Sequence, residues 1–376
     1  MSYSKIILGL NIFHADSSAC LVIDGELVAA IEEERINRIK HYSGFPNKAI
    51  KECLILGNIK ENEITDIAIN TKPLSNLIPK GIHYLKNISF KENFAKKRFL
   101  KKKNIHKTIN KYLDLNKKVK FHYIEHHLAH IASAFYPSKF KKANGLSIDG
   151  SGDFVSFAYA ECENNKIKIK NRKYFPHSLG IFYHAMTQFL GFKNYGDEYK
   201  IMGLAAYGKP IYFEKIKINL FKDGPNLFNL NLDYFNHHKK DFKYIADDNL
   251  EIDQIFSSNL KKLFTNNIND KDFRENFACS VQKVYEFFFK KIINNVLLKN
   301  FSKNIVFSGG CALNSSANKF ITDKNNMLEN IFINFAPGDN GGALGAAFIV
   351  AANYNLNLIN IKSPYLGKKF NKNEII

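Results

Sequence analysis

The chain has 376 residues, of which 45% are hydrophobic, and it carries a formal net charge of +19. This length and apolar content are sufficient for a large core in two domains or lobes, and they exclude a disordered chain. The lysines are scattered among Asn and Ile residues and accompany no nucleic-acid-binding motif, so nucleic acid is not an expected partner.

The five cysteines show neither CxxC pairs nor the spacing of a disulfide framework, which favours a reducing compartment. The amino-terminal stretch lacks the pattern of a secretory signal, and the longest apolar run is too short to span a bilayer. We therefore expect a cytoplasmic protein without a membrane span.

The first elements form a unit of strand, polar turn and hairpin. A buried strand is predicted at 5–10, a polar turn at 11–18, and a hairpin closed by the two-residue turn Asp24-Gly25. Free backbone amides and short polar side chains at a tight turn suit a phosphate group. Asp16 and Ser17 in this turn are therefore candidate ligand contacts.

The same unit recurs about halfway along the chain. A strand at 145–148 leads into a tight turn at 149–153 and then into two further strands. Repetition of one unit indicates two similar lobes facing each other across a cleft, with one polar turn from each directed at the ligand. Gly150 and Ser151 are the candidate contacts in the second turn.

This repetition divides the chain into a first lobe at 1–143 and a second lobe at 144–360. Residues 211–275 are polar and aromatic, and we interpret them as a possible insertion in the second lobe. His237 and His238 within this segment are expected to face solvent.

Two histidines, His126 and His130, stand four residues apart in a predicted helix that ends before Pro137. On a helix this spacing places both imidazoles on one face, where they can bind one metal ion. Asp149 and Asp339 lie in turns of the kind that line a cleft, and they would complete the set of ligands. The spacing alone is also typical of buried, hydrogen-bonded histidines or of surface histidines.

A strand at 304–307 is followed by Gly309, Gly310 and a helix that begins near Asn314. Strand, diglycine and helix predict a seat for adenosine or phosphate, because the helix amino terminus presents free amides and glycine adds no bulk. Cys311 lacks a nearby base in the sequence and is expected to be a packed thiol.

The last predicted unit is a strand at 331–336, a turn that contains Asp339 and the candidate cofactor contact Asn340, and a small-residue helix at 342–352. This helix is expected to pack back on the first lobe. Lys200 is followed by small residues that permit a close approach, so it is a candidate phosphate contact.

These segments together resemble the nodulation, cephalosporin and tobramycin O-carbamoyltransferase family. The matching segments are His14-Ala15-Asp16, Glu33-Glu34-Arg35, Lys40-His41, Phe45-Pro46, His126-His127-Leu128-Ala129-His130, Asp149-Gly150, Ser178-Leu179-Gly180, Tyr199-Lys200-Ile201-Met202-Gly203-Leu204, Ser308-Gly309-Gly310-Cys311-Ala312-Leu313-Asn314 and Pro337-Gly338-Asp339. The resemblance implies a duplicated, two-lobe α/β fold of the actin-like (ASKHA) type, similar to the TsaD-like transferase, with a central nucleotide and metal cleft.

The resemblance also implies roles for individual residues. A divalent metal, iron or manganese, would be held by a set of four ligands: His126, His130, Asp149 and Asp339. His14 and Lys40 would contact the carbamoyl and phosphate groups, with His14 the first candidate for the base that takes the acceptor proton and Asp233 the second. The adenosine would be seated by a glycine turn and an amide: Gly309, Gly310 and Asn314.

Members of this family work in two steps. A YrdC-like carboxy-terminal domain makes carbamoyl-adenylate from carbamoyl phosphate and ATP, with Mg²⁺ accompanying the ATP, and the actin-like domain then transfers the carbamoyl group to a hydroxyl. Residues 361–376 are interpreted as the start of a linker to that domain, which is absent from the sequence, so a separate YrdC-like chain is an expected partner.

The expected function is therefore the transfer half of an ATP-dependent O-carbamoyltransferase that acts on a sugar or natural-product hydroxyl. Two alternatives stay open at this point. One is threonylcarbamoyl transfer to tRNA, and the other is a nucleotide-binding partner subunit without chemistry of its own.

Overall fold

The computed structural model describes residues 4–86, 104–224, 227–239, 243–244, 250–251, 253–265, 268–322, 328–358, 361, 363–371 and 373. The predicted insertion at 211–275 and the predicted linker at 361–376 therefore lie partly outside the described residues.

The described part of the chain contains both strands and helices. The strands are β1 Ile6–Asn11, β2 Ser18–Ile23, β3 Glu26–Glu32, β4 Asp66–Ile69, β5 Lys120–Tyr123, β6 Lys142–Gly152, β7 Val155–Glu163, β8 Lys166–Tyr174, β9 Phe221–Lys222, β10 Asn229–Leu230, β11 Lys243–Tyr244, β12 Leu250–Glu251, β13 Asn304–Ser308 and β14 Asn330–Ile333. The helices are α1 Glu34–Asn37, α2 Asn47–Gly57, α3 Leu77–Lys86, α4 Ile105–Tyr112, α5 His126–Phe135, α6 Leu179–Phe189, α7 Glu198–Leu204, α8 Phe213–Leu220, α9 Ser258–Leu263, α10 Lys271–Leu297, α11 Ser315–Thr322 and α12 Gly342–Asn353.

Two five-stranded sheets organise the molecule, in the orders β3-β2-β1-β4-β5 and β8-β7-β6-β13-β14. In the first sheet, β1, β2 and β3 are antiparallel neighbours, and β4 and β5 run parallel to β1. In the second sheet, β6, β7 and β8 are antiparallel neighbours, and β13 and β14 run parallel to β6. Both sheets therefore have the same strand arrangement.

Alternation along β1 directs its apolar side chains to the two faces of the first sheet. Leu8 and Leu10 face a core cluster that includes residues of α2 and α4, whereas Ile7 faces one that includes α12 and Ala129 of α5. The helix α12 therefore packs against the first sheet. This contact is very close, because a Cβ at Gly9 would lie 2.3 Å from the carbonyl oxygen of Ala343.

The helix α5 lies between the two sheets. Its Ala129 belongs to the cluster shared with the first sheet, and its Ile131 packs with Ala143 and Val306 of the second sheet. The other face of the second sheet packs against α6 and α10 in the largest core cluster. The order of layers is thus helices, first sheet, helices α5 and α12, second sheet, helices.

The segment around 211–275 contributes to the core of the second lobe through buried phenylalanines. These are Phe221, Phe228, Phe235, Phe256, Phe264 and Phe273. The prediction that His237 and His238 face solvent is wrong, since both are buried. His237 lies within hydrogen-bonding distance of the carbonyl of Pro176 at 2.8 Å, and burial lowers its pKa to about 3 and that of His238 to about 4.

The predicted tight turn at 149–153 is also corrected by the structure. Strand β6 continues to Gly152 through an irregular register after Ile148, and Gly152 still pairs with Val155 of β7. The turn itself consists of Asp153 and Phe154, whose φ angles are 47° and 73°. Asp149 therefore projects from a distorted strand end.

Candidate metal centre

Four side chains from three parts of the fold converge at one point. His126 and His130 come from α5, Asp149 from the distorted end of β6, and Asp339 from the short turn before α12. One ligand atom from each lies within 4.8 Å of the other three. The structure thus brings together the four residues that the sequence predicted as metal ligands, although their binding of a metal stays a prediction.

The distances within this cluster suit a single ion. The Nε2 atoms of His126 and His130 are 2.9 Å apart, and each lies 3.2 to 3.6 Å from the nearest oxygens of Asp149 and Asp339. Ligand atoms bound at about 2.1 Å to one metal are separated by about 3.0 Å in octahedral and about 3.4 Å in tetrahedral geometry. Two imidazoles and two carboxylates are a donor set for a divalent transition metal, so the residues present fit the group.

Electrostatics ties the imidazoles to the carboxylates. Burial alone would lower the pKa of His126, but the charges of Asp339 and Asp149 outweigh this effect and raise it to about 10. Burial would raise the pKa of Asp149, yet its bonds to His126 and His130 hold it well below its usual range. The carboxylates of Asp149 and Asp339 lie so close together that nearby positive charge is needed to keep both ionised, and protons on the histidines or a metal ion can supply it.

His127, between the two candidate ligands, has a structural role. Its Nδ1 lies 2.8 Å from the Ser147 hydroxyl, and its Nε2 lies 2.8 Å from the carbonyl oxygen of Val155. Burial and the charges of His126 and His130 lower its pKa to about 3. A neutral His127 therefore anchors α5 to the second sheet.

One backbone amide and one side-chain hydroxyl of the second lobe hold Asp149. The backbone N–H of Gly310 donates to its Oδ1 at 3.1 Å, and the Ser178 hydroxyl donates to its carbonyl oxygen at 2.8 Å. Gly309 has a φ of 90°, and a Cβ there would lie 2.3 Å from the carbonyl oxygen of Ile148. The diglycine turn thus packs directly against the candidate ligand, a contact that requires glycine.

His14 lies beside the cluster. Its ring stacks on that of His126 with centroids 4.9 Å apart, and its Nδ1 lies 3.9 Å from Asp339 Oδ2. The side chain is buried. The structure thus places this candidate base next to two candidate metal ligands.

The other predicted residues of the first lobe have mainly structural partners. Ser17 donates its hydroxyl to the carbonyl of Gly44 at 2.9 Å, and Asp16 lies 2.7 Å from His41 Nδ1. Lys40 Nζ donates to Glu34 at 2.7 Å, and its side chain is 70% exposed. Asp16, Glu34 and His41 also form a small group of possible ligand atoms.

Predicted contacts from the second lobe differ in their positions. Asn314 exchanges hydrogen bonds with Gln282 at 3.0 and 3.1 Å, and Lys200 pairs with Asp197 at 2.6 Å. Asp233 is exposed. Within the described residues, no hydrogen bond or ion pair joins Lys200 or Asp233 to the cluster.

Three predicted residues lie near the cluster without a shared role. Among the described residues, a Cβ at Gly150 would meet no atom within 4 Å, so space adjoins it, and Ser151 is half-buried. Asn340 donates its amide to Glu32 at 2.6 Å, and its carbonyl oxygen accepts from the Ser18 hydroxyl at 2.8 Å. Asn340 therefore ties the Asp339 turn to the first sheet.

Sequence reasoning missed two residues near the centre. Asp153 accepts a hydrogen bond from the backbone N–H of His126 at 3.1 Å. Tyr195 contacts the His41 ring edge-on at 5.1 Å, and burial followed by the charges of Asp339 and Asp16 raises its pKa well above the usual range. The repeated acid in Asp149-Gly150-Ser151-Gly152-Asp153 was a usable signal for Asp153, whereas nothing in the sequence distinguished Tyr195.

Comparison with protein families matches residues 6–348 to the family described as Carbamoyltransferase N-terminus. The chain belongs to this family. The resemblance that the sequence motifs carried is therefore confirmed at the level of the family.

The curated relatives described next are longer than this chain. An uncharacterized protein of Synechocystis is 33% identical over 98% of this chain and 62% of its own length. Nodulation protein NolNO of Sinorhizobium fredii is 28% identical over 91% of this chain and 47% of its own length. The chain thus spans about half to three fifths of these curated relatives.

Among solved structures, HypF of T. kodakarensis matches 94% of this chain and 48% of its own, with a TM-score of 0.44 and 13% identity. None of the helices in the described part of the chain is both long and apolar enough to cross a membrane.

Proposed function

We propose that this chain is the transfer half of an O-carbamoyltransferase, which moves the carbamoyl group of carbamoyl-adenylate to a hydroxyl of a sugar or natural-product acceptor. The observation that carries the proposal is the convergence of His126, His130, Asp149 and Asp339, with His14 stacked against them, in a chain of this family.

These four side chains would hold a divalent metal, iron or manganese. When bound, such an ion supplies Lewis-acid stabilisation of the charge that develops on the leaving phosphate. The chain supplies the preorganisation: the ligands are fixed by α5, by β6 and by the turn that Asn340 ties to the first sheet. Little reorganisation is then needed during the reaction.

The transfer itself requires removal of one proton. The acceptor oxygen forms a bond to the carbamoyl carbon, the bond from that carbon to the adenylate phosphate breaks, and AMP leaves. His14 is the base of this proposal because its buried ring stacks on His126 and its Nδ1 lies 3.9 Å from Asp339 Oδ2, beside the candidate ligands. Asp233 and Lys40 have no comparable position among the described residues.

The adenosine is proposed to lie along the Gly309-Gly310 turn. The backbone approaches Asp149 there, and the space beside Gly150 leaves room for a phosphate. The Asn314 amide is occupied by Gln282, so backbone groups rather than this side chain would form the seat.

The equal strand orders of the two sheets support a duplicated, actin-like (ASKHA) architecture. Because the chain spans at most 62% of the longer relatives described above, we assign carbamoyl-adenylate formation to a separate YrdC-like part. That part would use carbamoyl phosphate and ATP with Mg²⁺.

The test combines the purified chain, loaded with Fe²⁺ or Mn²⁺, with a YrdC-like chain, ATP and isotope-labelled carbamoyl phosphate. A panel of hydroxylated sugars and, in a parallel reaction, tRNA serve as acceptors, and mass spectrometry detects the carbamoylated product. We expect product only when both chains are present. Label that appears on tRNA instead, or adenylate that accumulates with every acceptor left unmodified, would overturn the proposal in favour of tRNA modification or of a non-catalytic subunit.

A further inference from the structure

The hairpin turn between β6 and β7 contains two non-glycine residues with positive φ, Asp153 at 47° and Phe154 at 73°. A two-residue turn with positive φ at both positions favours Asn-Gly or Asp-Gly, because a Cβ is unfavourable there. A phenylalanine at the second position is a backbone outlier that surrounding contacts must maintain. The contacts of this turn therefore indicate what it does.

The Asp153 carboxylate, which is buried, connects the turn to the segment after β4 of the first sheet. Its Oδ1 accepts from the Thr71 hydroxyl at 2.7 Å, and its Oδ2 accepts from the backbone N–H of Lys72 at 2.7 Å. The Asp153 carbonyl oxygen accepts from the Asn76 side chain at 2.9 Å. One residue of the second sheet thus fixes residues 71–76.

The same carboxylate also reaches the helix of the candidate metal centre. Oδ2 of Asp153 accepts from the backbone N–H of His126 at 3.1 Å, one of the helix amides that have no partner within α5. Gly152 lies so close that a Cβ there would be 2.0 Å from His126 Cδ2. Asp153 therefore contacts the backbone of His126, and the adjacent Gly152 of β6 packs against its ring.

We propose that Asp153 is a positioning residue for the metal centre, which holds His126 in register with the other ligands and with residues 71–72. The inference rests on the proposed function, since it takes His126 to be a ligand. Without the carboxylate, the N–H groups of His126 and Lys72 lose their acceptor, and the amino terminus of α5 is released from the turn.

Three variants separate the carboxylate from the turn. Asp153→Gly removes the carboxylate and suits a positive φ. Phe154→Gly keeps the carboxylate and creates the favoured Asp-Gly pair, while it removes the ring contact with His83 at 5.5 Å. Asp153→Asn is a milder change that keeps one acceptor oxygen and the side-chain shape.

Fe²⁺ and Mn²⁺ affinities are measured by chelator competition on variants whose cooperative thermal unfolding shows that they are folded. We expect Asp153→Gly to weaken metal binding about tenfold or more, Asp153→Asn by a smaller factor, and Phe154→Gly to stay within about twofold of the wild type. Hydrogen exchange at the Lys72 amide should accelerate in Asp153→Gly and not in Phe154→Gly.

Wild-type affinity in Asp153→Gly, or equal losses in Asp153→Gly and Phe154→Gly, would overturn the inference and leave the proposed function standing. A wild-type chain that binds neither ion would overturn the metal assignment together with the inference. Hydrogen exchange at the Lys72 amide tests the contact between Asp153 and residues 71–72 in the absence of metal. An unchanged exchange rate in Asp153→Gly would overturn this part of the inference.

Discussion

The two sheets share one strand arrangement, yet the turns after their first strands are built differently. After β1 the chain uses six residues, 12–17, which carry His14 and Asp16. After β6 it uses only Asp153 and Phe154, and the strand end itself supplies Asp149. In this comparison the longer turn carries the candidate base, whereas the distorted strand end carries a candidate metal ligand and the tight turn carries the anchor Asp153.

The largest effect on carbamoyl transfer is expected from Asp149, at the distorted end of β6. Asp149→Ala removes one candidate oxygen ligand and leaves Asp339 as the remaining carboxylate of the cluster beside His126 and His130. We expect carbamoyl transfer to fall about a thousandfold, the loss that several kcal/mol of transition-state stabilisation represents. Chelator competition should show a parallel loss of metal affinity. Full metal binding in this variant would contradict the assignment of Asp149.

The first turn should behave differently. His14→Ala is expected to lower kcat about a hundredfold, as for loss of a general base, while metal affinity is preserved. Steady-state kinetics and metal titration on the same preparation check this separation. His14→Gln, which retains some bulk, is the matched control for packing against His126. A loss of metal rather than of kcat would assign His14 to the ligands.

A pH dependence follows from His126, whose pKa rises from 6.5 to about 10 in the metal-free fold because Asp339 and Asp149 outweigh its burial. A raised pKa stabilises the folded state fully below about pH 6.5, and this contribution is lost as pH rises towards 10. We expect the metal-free Tm to fall across this window. Metal binding displaces protons, so affinity should rise with pH there.

The matched control for that experiment is His126→Gln, which cannot titrate. Its Tm should vary less between pH 6.5 and 10 than that of the wild type. If both proteins show the same slope, a group other than His126 controls stability in this window.

The smallest effect concerns the loop beside the first turn. Lys40→Ala is expected to change transfer less than about threefold, because its Nζ pairs with Glu34 and its side chain is 70% exposed, where ion pairs contribute little. Steady-state kinetics checks this result. A loss above tenfold would restore the contact with phosphate that the sequence motif implied.

Much of this arrangement could be predicted from the sequence. The bounds of α5 follow from an apolar helical pattern that stops before Pro137, and four-residue spacing places His126 and His130 on one face. The repeated strand, turn and hairpin pattern predicted the two equivalent meanders. Local periodicity carries this information, which is why these predictions succeeded.

Other features depend on contacts between distant segments. His237 is buried because Phe175 and Phe235 pack against its ring, and the sequence around His237 contains no pattern that predicts these contacts. The second turn was predicted at 149–153, whereas the structure has it at Asp153 and Phe154. The glycines at 150 and 152 suggest a turn, although β6 passes through them. Lys40 illustrates the same limit, because its partner is fixed by the path of the loop.

The burial of α5 between the two sheets has a spectroscopic consequence. A Cβ at Gly345 would lie 1.7 Å from the carbonyl oxygen of Ala129, so α5 and α12 touch backbone to backbone and cannot slide without a clash. The candidate ligands His126, His130 and Asp339 therefore lie on or beside two helices in direct backbone contact, whereas Asp149 comes from β6. We expect the absorption or magnetic-resonance spectrum of an ion bound there to report any shift of this helix pair against the second sheet.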